Sequence, residues 1–241
     1  MRLVGWMYSA GLLVSACALL AAQEPAAVIK PTVETTTKRQ VSFTFDRKGM
    51  AVGHYRLIVD ESGSGKYEGT EVPIATAYGH PVSQSAVPFQ HTITISQATS
   101  QKIFSMAEKL NRFNLACASK LKNIADTGTK TLAYEGRDGN GSCTYNYSEN
   151  KDVQTLTDLF QGIAETLDFG RQLDLLRRFD RLGLDATMKF LTDEVSSGHA
   201  LEIGNIEKSL RSIAQDPDVM ARVRNRATTL LNQSSGGAAK P

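Results

Sequence analysis

The chain has 241 residues, 41% of them hydrophobic and 22% charged, which is enough apolar material for a packed core and too much for a disordered polymer. Its 27 basic and 25 acidic residues nearly cancel, so charge gives no reason to expect nucleic acid or a membrane surface as partner.

Arg2, the apolar run Leu3 to Leu20, and then Ala21-Ala22-Gln23-Glu24-Pro25 have the layout of a secretory signal peptide over residues 1–22. The run is short for a membrane span, and no later segment approaches the ~20 apolar residues a span needs, so the mature chain is expected to lack one. Two exits are open. Val14-Ser15-Ala16-Cys17 resembles a bacterial lipobox, which would lipidate Cys17 and yield an outer-membrane lipoprotein. Against it, Ala18 to Ala22 carry the apolar run past the cysteine, and cleavage after Ala22 fits the change in polarity. On either route the mature chain, about 219 residues once 1–22 are removed, is expected outside the cytoplasm, periplasmic or secreted. Only Cys117 and Cys143 then remain of the 3 cysteines, and an even pair in an exported protein reads as a disulfide. Two separate buried thiols are the alternative.

Residues 23–40 contain Pro25, Pro31, Thr35-Thr36-Thr37 and Lys38-Arg39 with no apolar period, and read as a flexible linker. An α+β domain is expected over 41–169. Val41 to Phe45 and Tyr55 to Val59 read as strands, with a turn at Ser62 to Gly65 and a return strand at Lys66 to Val72. Residues 73–88 read as a long loop, and His91 to Ile95 as a further strand. Thr99 or Ser100 is placed to cap a helix whose Ile103, Met106, Ala107 and Leu110 share one face. Thr131 to Glu135 and Cys143 to Tyr147 flank a Gly-rich hairpin turn, Gly136 to Gly141. Val153, Leu156, Phe160, Ile163 and Leu167 define a second amphipathic helix. The sheet is thus expected to be small, antiparallel and packed by two helices.

From 170 to 232 the strand signals vanish and an all-helical segment follows. Leu173, Leu176 and Phe179 form one stripe, and Ile203, Ile206, Leu210 and Ile213 another. Asp216-Pro217 reads as the start of the last helix, with Val219, Val223, Ala227 and Leu230 on its buried face. Residues 233–241 read as a disordered tail.

Two resemblances follow from these residues. The order of strand, Tyr67-Glu68-Gly69 turn, strand, helix, exit at Phe113, Gly-rich hairpin and closing helix, over residues 54–169, resembles small bacterial extracytoplasmic domains of unknown function. Ile213 to Asp218, with Arg222, Val223, Arg224, Ala227 and Leu231, looks like half of one HEAT-type helical repeat. Neither resemblance carries a catalytic residue.

No reaction is fixed by a motif. Gly63-Ser64-Gly65-Lys66 departs from a phosphate-binding loop at Asp60, where glycine is required, and at Tyr67, where Ser or Thr is required. His54, His80, His91 and His199 lack metal-ligand spacing, so no metal or cofactor is expected. Two surfaces are candidates for a partner. Tyr145 and Tyr147, with Tyr134 nearby, could form an aromatic platform for glycan or peptide, with cross-strand packing as the alternative. Arg171, Arg177, Arg178 and Arg181 could form a basic stripe, with Asp174 placed to neutralise it. The reading is an exported envelope protein, a non-catalytic binding or scaffolding module. An envelope hydrolase with a histidine base, His54 or His91, near the 73–88 loop is the alternative. A third reading, peptide capture on an exposed strand edge, requires unpaired backbone along Val41 to Phe45. Asn140, Asn146 and Asn232 each begin an Asn-x-Ser sequon.

Overall fold

The computed structural model describes residues 38–72 and 85–236. The expected signal peptide with Cys17, most of the linker, His80 within residues 73–84, and residues 237–241 lie outside the described residues.

Six strands form one antiparallel sheet: β1 (Gln40–Asp46), β2 (His54–Asp60), β3 (Ser64–Glu71), β4 (Val87–Thr94), β5 (Thr129–Gly136) and β6 (Gly139–Tyr145), in the order β4-β3-β2-β1-β5-β6. Period-two alternation sends Val41, Phe43, Phe45, Tyr55, Leu57, Val59, Tyr67, Leu132, Tyr134, Cys143 and Tyr145 into the core. The opposite face carries polar residues such as Arg56, Glu68, Gln90, Thr131 and Thr144. β1 is central, since Phe43 pairs with Leu57 on one side and Leu132 on the other. An exposed edge along Val41 to Phe45 is therefore excluded; among the described residues the edge strands are β4 and β6. Val87 and Pro88 belong to β4 instead of a loop.

Two helices cover the apolar face: α1 (Gln97–Lys109) and the first half of α2 (Lys151–Phe179). Phe43 stacks on Phe160 with ring centroids 5.4 Å apart. The cap of α1 is Ser96, whose side chain accepts from the Thr99 N–H; Ser100 lies inside the helix, buried, and donates to the Glu61 carbonyl at 3.0 Å. In the β5–β6 hairpin both strands run into glycine, Gly136 opposite Gly139, leaving Arg137-Asp138 as a two-residue loop.

Between α1 and β5 the chain makes a left-handed turn, with φ of 50°, 53° and 65° at Asn111, Arg112 and Phe113. Such a conformation costs roughly 1–2 kcal/mol at each residue that carries a Cβ. Burial of Phe113 holds it from inside. From outside, Arg112 bonds Asp138 Oδ2 through Nε at 3.0 Å and Nη2 at 2.8 Å, and Asn114 Nδ2 donates to the Asn140 carbonyl at 3.0 Å. The Cys117–Cys143 disulfide, Cα atoms 5.8 Å apart, fastens the following segment to β6.

α2 is 29 residues long and passes without a break through 169 and 170, where a boundary was expected. The sheet core reaches Leu167 on this helix. A second core begins at Phe169 and Leu173 and is completed by α3 (Arg181–Ser197), α4 (Glu207–Ala214) and α5 (Ala221–Gly236). Gly162 and Gly170 on α2 admit the chain that joins α3 to α4: a Cβ at Gly162 would lie 2.4 Å from the His199 carbonyl oxygen, and one at Gly170 2.4 Å from Ile206 Cγ2. Asp216-Pro217 makes a turn, not a helix start. Asp216 Oδ1 accepts from the Asp218 N–H at 3.0 Å, its carbonyl accepts from Val219 at 3.1 Å, and α5 begins only at Ala221.

Candidate partner-binding surface

The structure separates the tyrosines that were grouped by sequence. Tyr134 and Tyr145 are core residues at 0% and 4% exposure. The Tyr145 hydroxyl shares a 2.6 Å hydrogen bond with Thr157 on α2, and burial pushes its phenol up to about 12. Tyr147 lies beyond the end of β6, exposed, and accepts from Gln154 Nε2 at 3.2 Å. Tyr145 and Tyr147 therefore share no exposed face.

The arginines also part company. Arg171 is held by Asp168 at 3.0 Å and Glu71 at 3.6 Å. Arg177 reaches Asp216 at 3.1 Å, and Arg181, already in α3, lies 3.5 Å from Asp218. Asp174 instead accepts from Ser209 at 3.0 Å. Asp180 interrupts the wheel: its extended backbone ends α2, and its carboxylate accepts from the Gly183 N–H at 2.9 Å to start α3. Of the four, only Arg178 is exposed and without a side-chain partner among the described residues.

Around Arg178 the α2–α3 hairpin turns large apolar groups to water. Leu175 is 58% exposed, Phe179 and Leu182 78% each, and Phe190 53%. Leu175 and Phe179 are one turn apart on α2, Leu182 and Phe190 two turns apart on α3, and Phe179 and Leu182 flank the corner. Phe190 leans on Phe169 of α2, with ring centroids 5.7 Å apart. The sequence placed Phe179 in a core stripe with Leu173 and Leu176. Steps of three residues rotate about 60° each on a helix of 100° per residue, so the third member has turned away from the core. That rotation was the signal available in the sequence.

A polar node lies where β3 and β4 meet α2. The Tyr67 hydroxyl donates to Asp168 Oδ1 at 2.7 Å, and the Arg171 guanidinium sits 3.9 Å from the Phe89 ring centroid. Burial raises Asp168 to about 6, opposed by Arg171 and Tyr67 and assisted by Glu71 and Glu165. Burial and then the Arg171 charge hold His91 below the ordinary imidazole value. Among the described residues His91 has no side-chain hydrogen-bond partner, and its ring lies 5.8 Å from that of Phe89. His54 and His199 are exposed and reach Asp46 and Glu194 at 3.1 and 3.0 Å. These histidines stand on separate elements, and among the described residues the side-chain partners of His54 and His199 are the carboxylates Asp46 and Glu194. Among the described residues, no three His, Cys, Asp or Glu side chains come together to hold a metal. At the Gly-Ser-Gly-Lys segment, Asp60 Oδ1 accepts from the N–H groups of Ser62 at 2.9 Å and Ser64 at 3.2 Å, so the turn wraps a carboxylate and leaves no cradle for phosphate.

No helix among the described residues is long and apolar enough to cross a membrane. No protein-family model matches this chain and no curated protein matches it, so its functional reading rests on its own fold and surfaces.

Proposed function

We propose that the protein is an exported envelope module that binds or scaffolds a partner protein without catalysing a reaction, and that the outer surface of the α2–α3 hairpin receives the partner. The observation that carries this reading is the exposure of Leu175, Phe179, Leu182 and Phe190 beside an unpaired Arg178. Large apolar side chains exposed in this number on one helical hairpin are the kind of surface a partner buries. Burying Phe179 and Leu182 would contribute roughly 1.5–3 kcal/mol each to association.

The signal-peptide layout of residues 1–22 and the Cys117–Cys143 bridge support the compartment, because disulfides persist where conditions are oxidising. The likeness of residues 54–169 to small bacterial extracytoplasmic domains agrees with it. The intact mass of the processed chain separates cleavage after Ala22 from lipidation at Cys17.

A photo-crosslinking residue at position 178, beside Phe179 and kept in every variant, tests the surface when activated in the native envelope. It is expected to trap one dominant partner, and Phe179→Asp with Leu182→Asp is expected to abolish its recovery while leaving the melting temperature unchanged. Equal recovery by the double variant would overturn the assignment.

A further inference from the structure

The outer edge of β4 already carries a substitute for a neighbouring strand at one end. Thr94 N–H donates to Asn205 Oδ1 at 2.9 Å, and Asn205 Nδ2 donates to the Thr94 carbonyl at 3.0 Å. A carboxamide offers one acceptor and one donor, as a peptide unit does, so Asn205 fills the ladder position beside Thr94. Backbone groups in an antiparallel strand alternate in direction, so Thr92 and Gln90 turn their N–H and C=O the same way as Thr94, away from β3. Both residues are exposed, and no described residue pairs with those groups. At the far end Pro88 has no N–H to offer. Gln90 and Thr92 therefore form an open window in the edge, bounded by Pro88 and by Asn205.

Side chains give the window two unlike faces. Gln90 and Thr92 lie on the polar face of the sheet. Val87, Phe89 and His91 lie on the face toward α2, where Val87 is 53% exposed and Phe89 is half-buried beneath Arg171. A strand added here would set every second side chain against Val87 and Phe89.

We propose that β4 accepts an extended peptide segment of a partner protein as a seventh strand, bonded to the backbone of Gln90 and Thr92, with apolar residues at alternate positions. A second copy of this chain fits less well. Two-fold pairing that sets Gln90 against Thr92 also sets Pro88 against Thr94, which Asn205 already occupies, and the neighbouring registers place Pro88 or Thr94 against one of the open residues. A segment from another protein meets neither obstacle. This site lies on different elements from the α2–α3 hairpin, so the two readings stand or fall separately.

An acetylated, amidated octapeptide alternating Val and Thr is the probe, with a counterpart methylated at every second backbone nitrogen. In the free full chain the Gln90 and Thr92 amides are expected to exchange rapidly with solvent, and the unmethylated peptide to slow them at least tenfold. Gln90→Pro, tolerated because its N–H faces solvent, is expected to weaken binding at least tenfold at an unchanged melting temperature. Equal binding of the methylated peptide, or no binding at millimolar concentration, overturns the proposal. So does protection of both amides before peptide is added, whether independent of concentration, meaning the chain covers its own edge, or rising with it, meaning a second copy does. Should Gln90→Pro not fold, the methylated peptide decides alone.

Discussion

The Tyr67 hydroxyl donates to Asp168 Oδ1 at 2.7 Å, joining the third strand to the long helix across 101 residues of chain. Asp168 answers to opposing forces: burial raises it to about 6, while Arg171 and Tyr67 pull it down. An ordinary aspartate titrates near 3.9. The folded chain therefore binds this proton more tightly than the unfolded chain does. The stability it contributes is fully present below about pH 4 and is lost as pH rises through about 6. Between pH 8 and pH 5 this contribution raises the melting temperature while His91, held low, opposes it as the unfolded ring charges, so the parent is expected to gain on Asp168→Asn as pH falls across that window at fixed ionic strength. An unchanged profile in the variant would contradict the assignment. Below pH 4 the trend reverses. Asp60, Asp185 and Asp216 sit lower than an ordinary carboxylate, and their contributions fade with acid.

Tyr67→Phe removes the donor but keeps the ring. Asp168 Oδ1 keeps Arg171 at 3.0 Å but loses its second donor, which is expected to cost about 1 kcal/mol, and the pH-dependent contribution should move to higher pH because the bond that lowers Asp168 is gone. Denaturant titration at two pH values reads both effects.

The disulfide closes a loop with a sequence separation of 26. On the chain-entropy account, replacing Cys117 and Cys143 by Ser is expected to cost about 3.5 kcal/mol and lower the melting temperature by about 10 °C. Reducing agent should lower the parent to the same value and leave the double variant unmoved.

Gly162 and Gly170 each cost α2 about 1 kcal/mol of helix propensity relative to alanine. Alanine is nonetheless expected to destabilise at both, by roughly 1–3 kcal/mol through overpacking, and more at 162, where the obstacle is a backbone carbonyl and not the tip of a side chain. Gly204→Ala, with nothing within 4 Å of its added carbon, serves as the neutral comparison. Chemical denaturation of the three variants gives the order.

In the left-handed turn, Asn111→Gly is expected to stay within about 0.5 kcal/mol of the parent, since both residues accept positive φ. Asn111→Val should lose about 1–2 kcal/mol, because a β-branched side chain meets the carbonyl there. Urea midpoints distinguish the two.

Local patterns were read well where the relevant partner is simply water or core. The alternation of Val41, Phe43 and Phe45 and the stripe from Val153 to Leu167 have that character, and the pairing of Cys117 with Cys143 was legible because the chain beyond residue 22 holds just these two cysteines. What escaped depends on residues far away in sequence. Nothing within Val41 to Phe45 says that β5, nearly ninety residues on, will occupy its second edge. The continuity of α2 was hidden by its glycines, which look like breaks until the chain near His199 and Ile206 comes against them. Asp216-Pro217 begins helices and turns alike, and the choice fell to the Asp218 and Val219 amides. The exposed hairpin was masked by spacing, since two steps of three residues carry Phe179 about 120° away from the buried Leu173.

One helix completing two cores also shapes how the molecule comes apart. Neither the sheet nor the helical end can keep its interior dry once α2 frays, because Leu167 serves the first core and Phe169 and Leu173 the second. The two halves should lose structure in a single cooperative event, and a chain ending at 169 would expose the seam instead of yielding a free-standing half. A load applied at the α2–α3 corner would travel along hydrogen-bonded backbone into the sheet, with no linker between to absorb it.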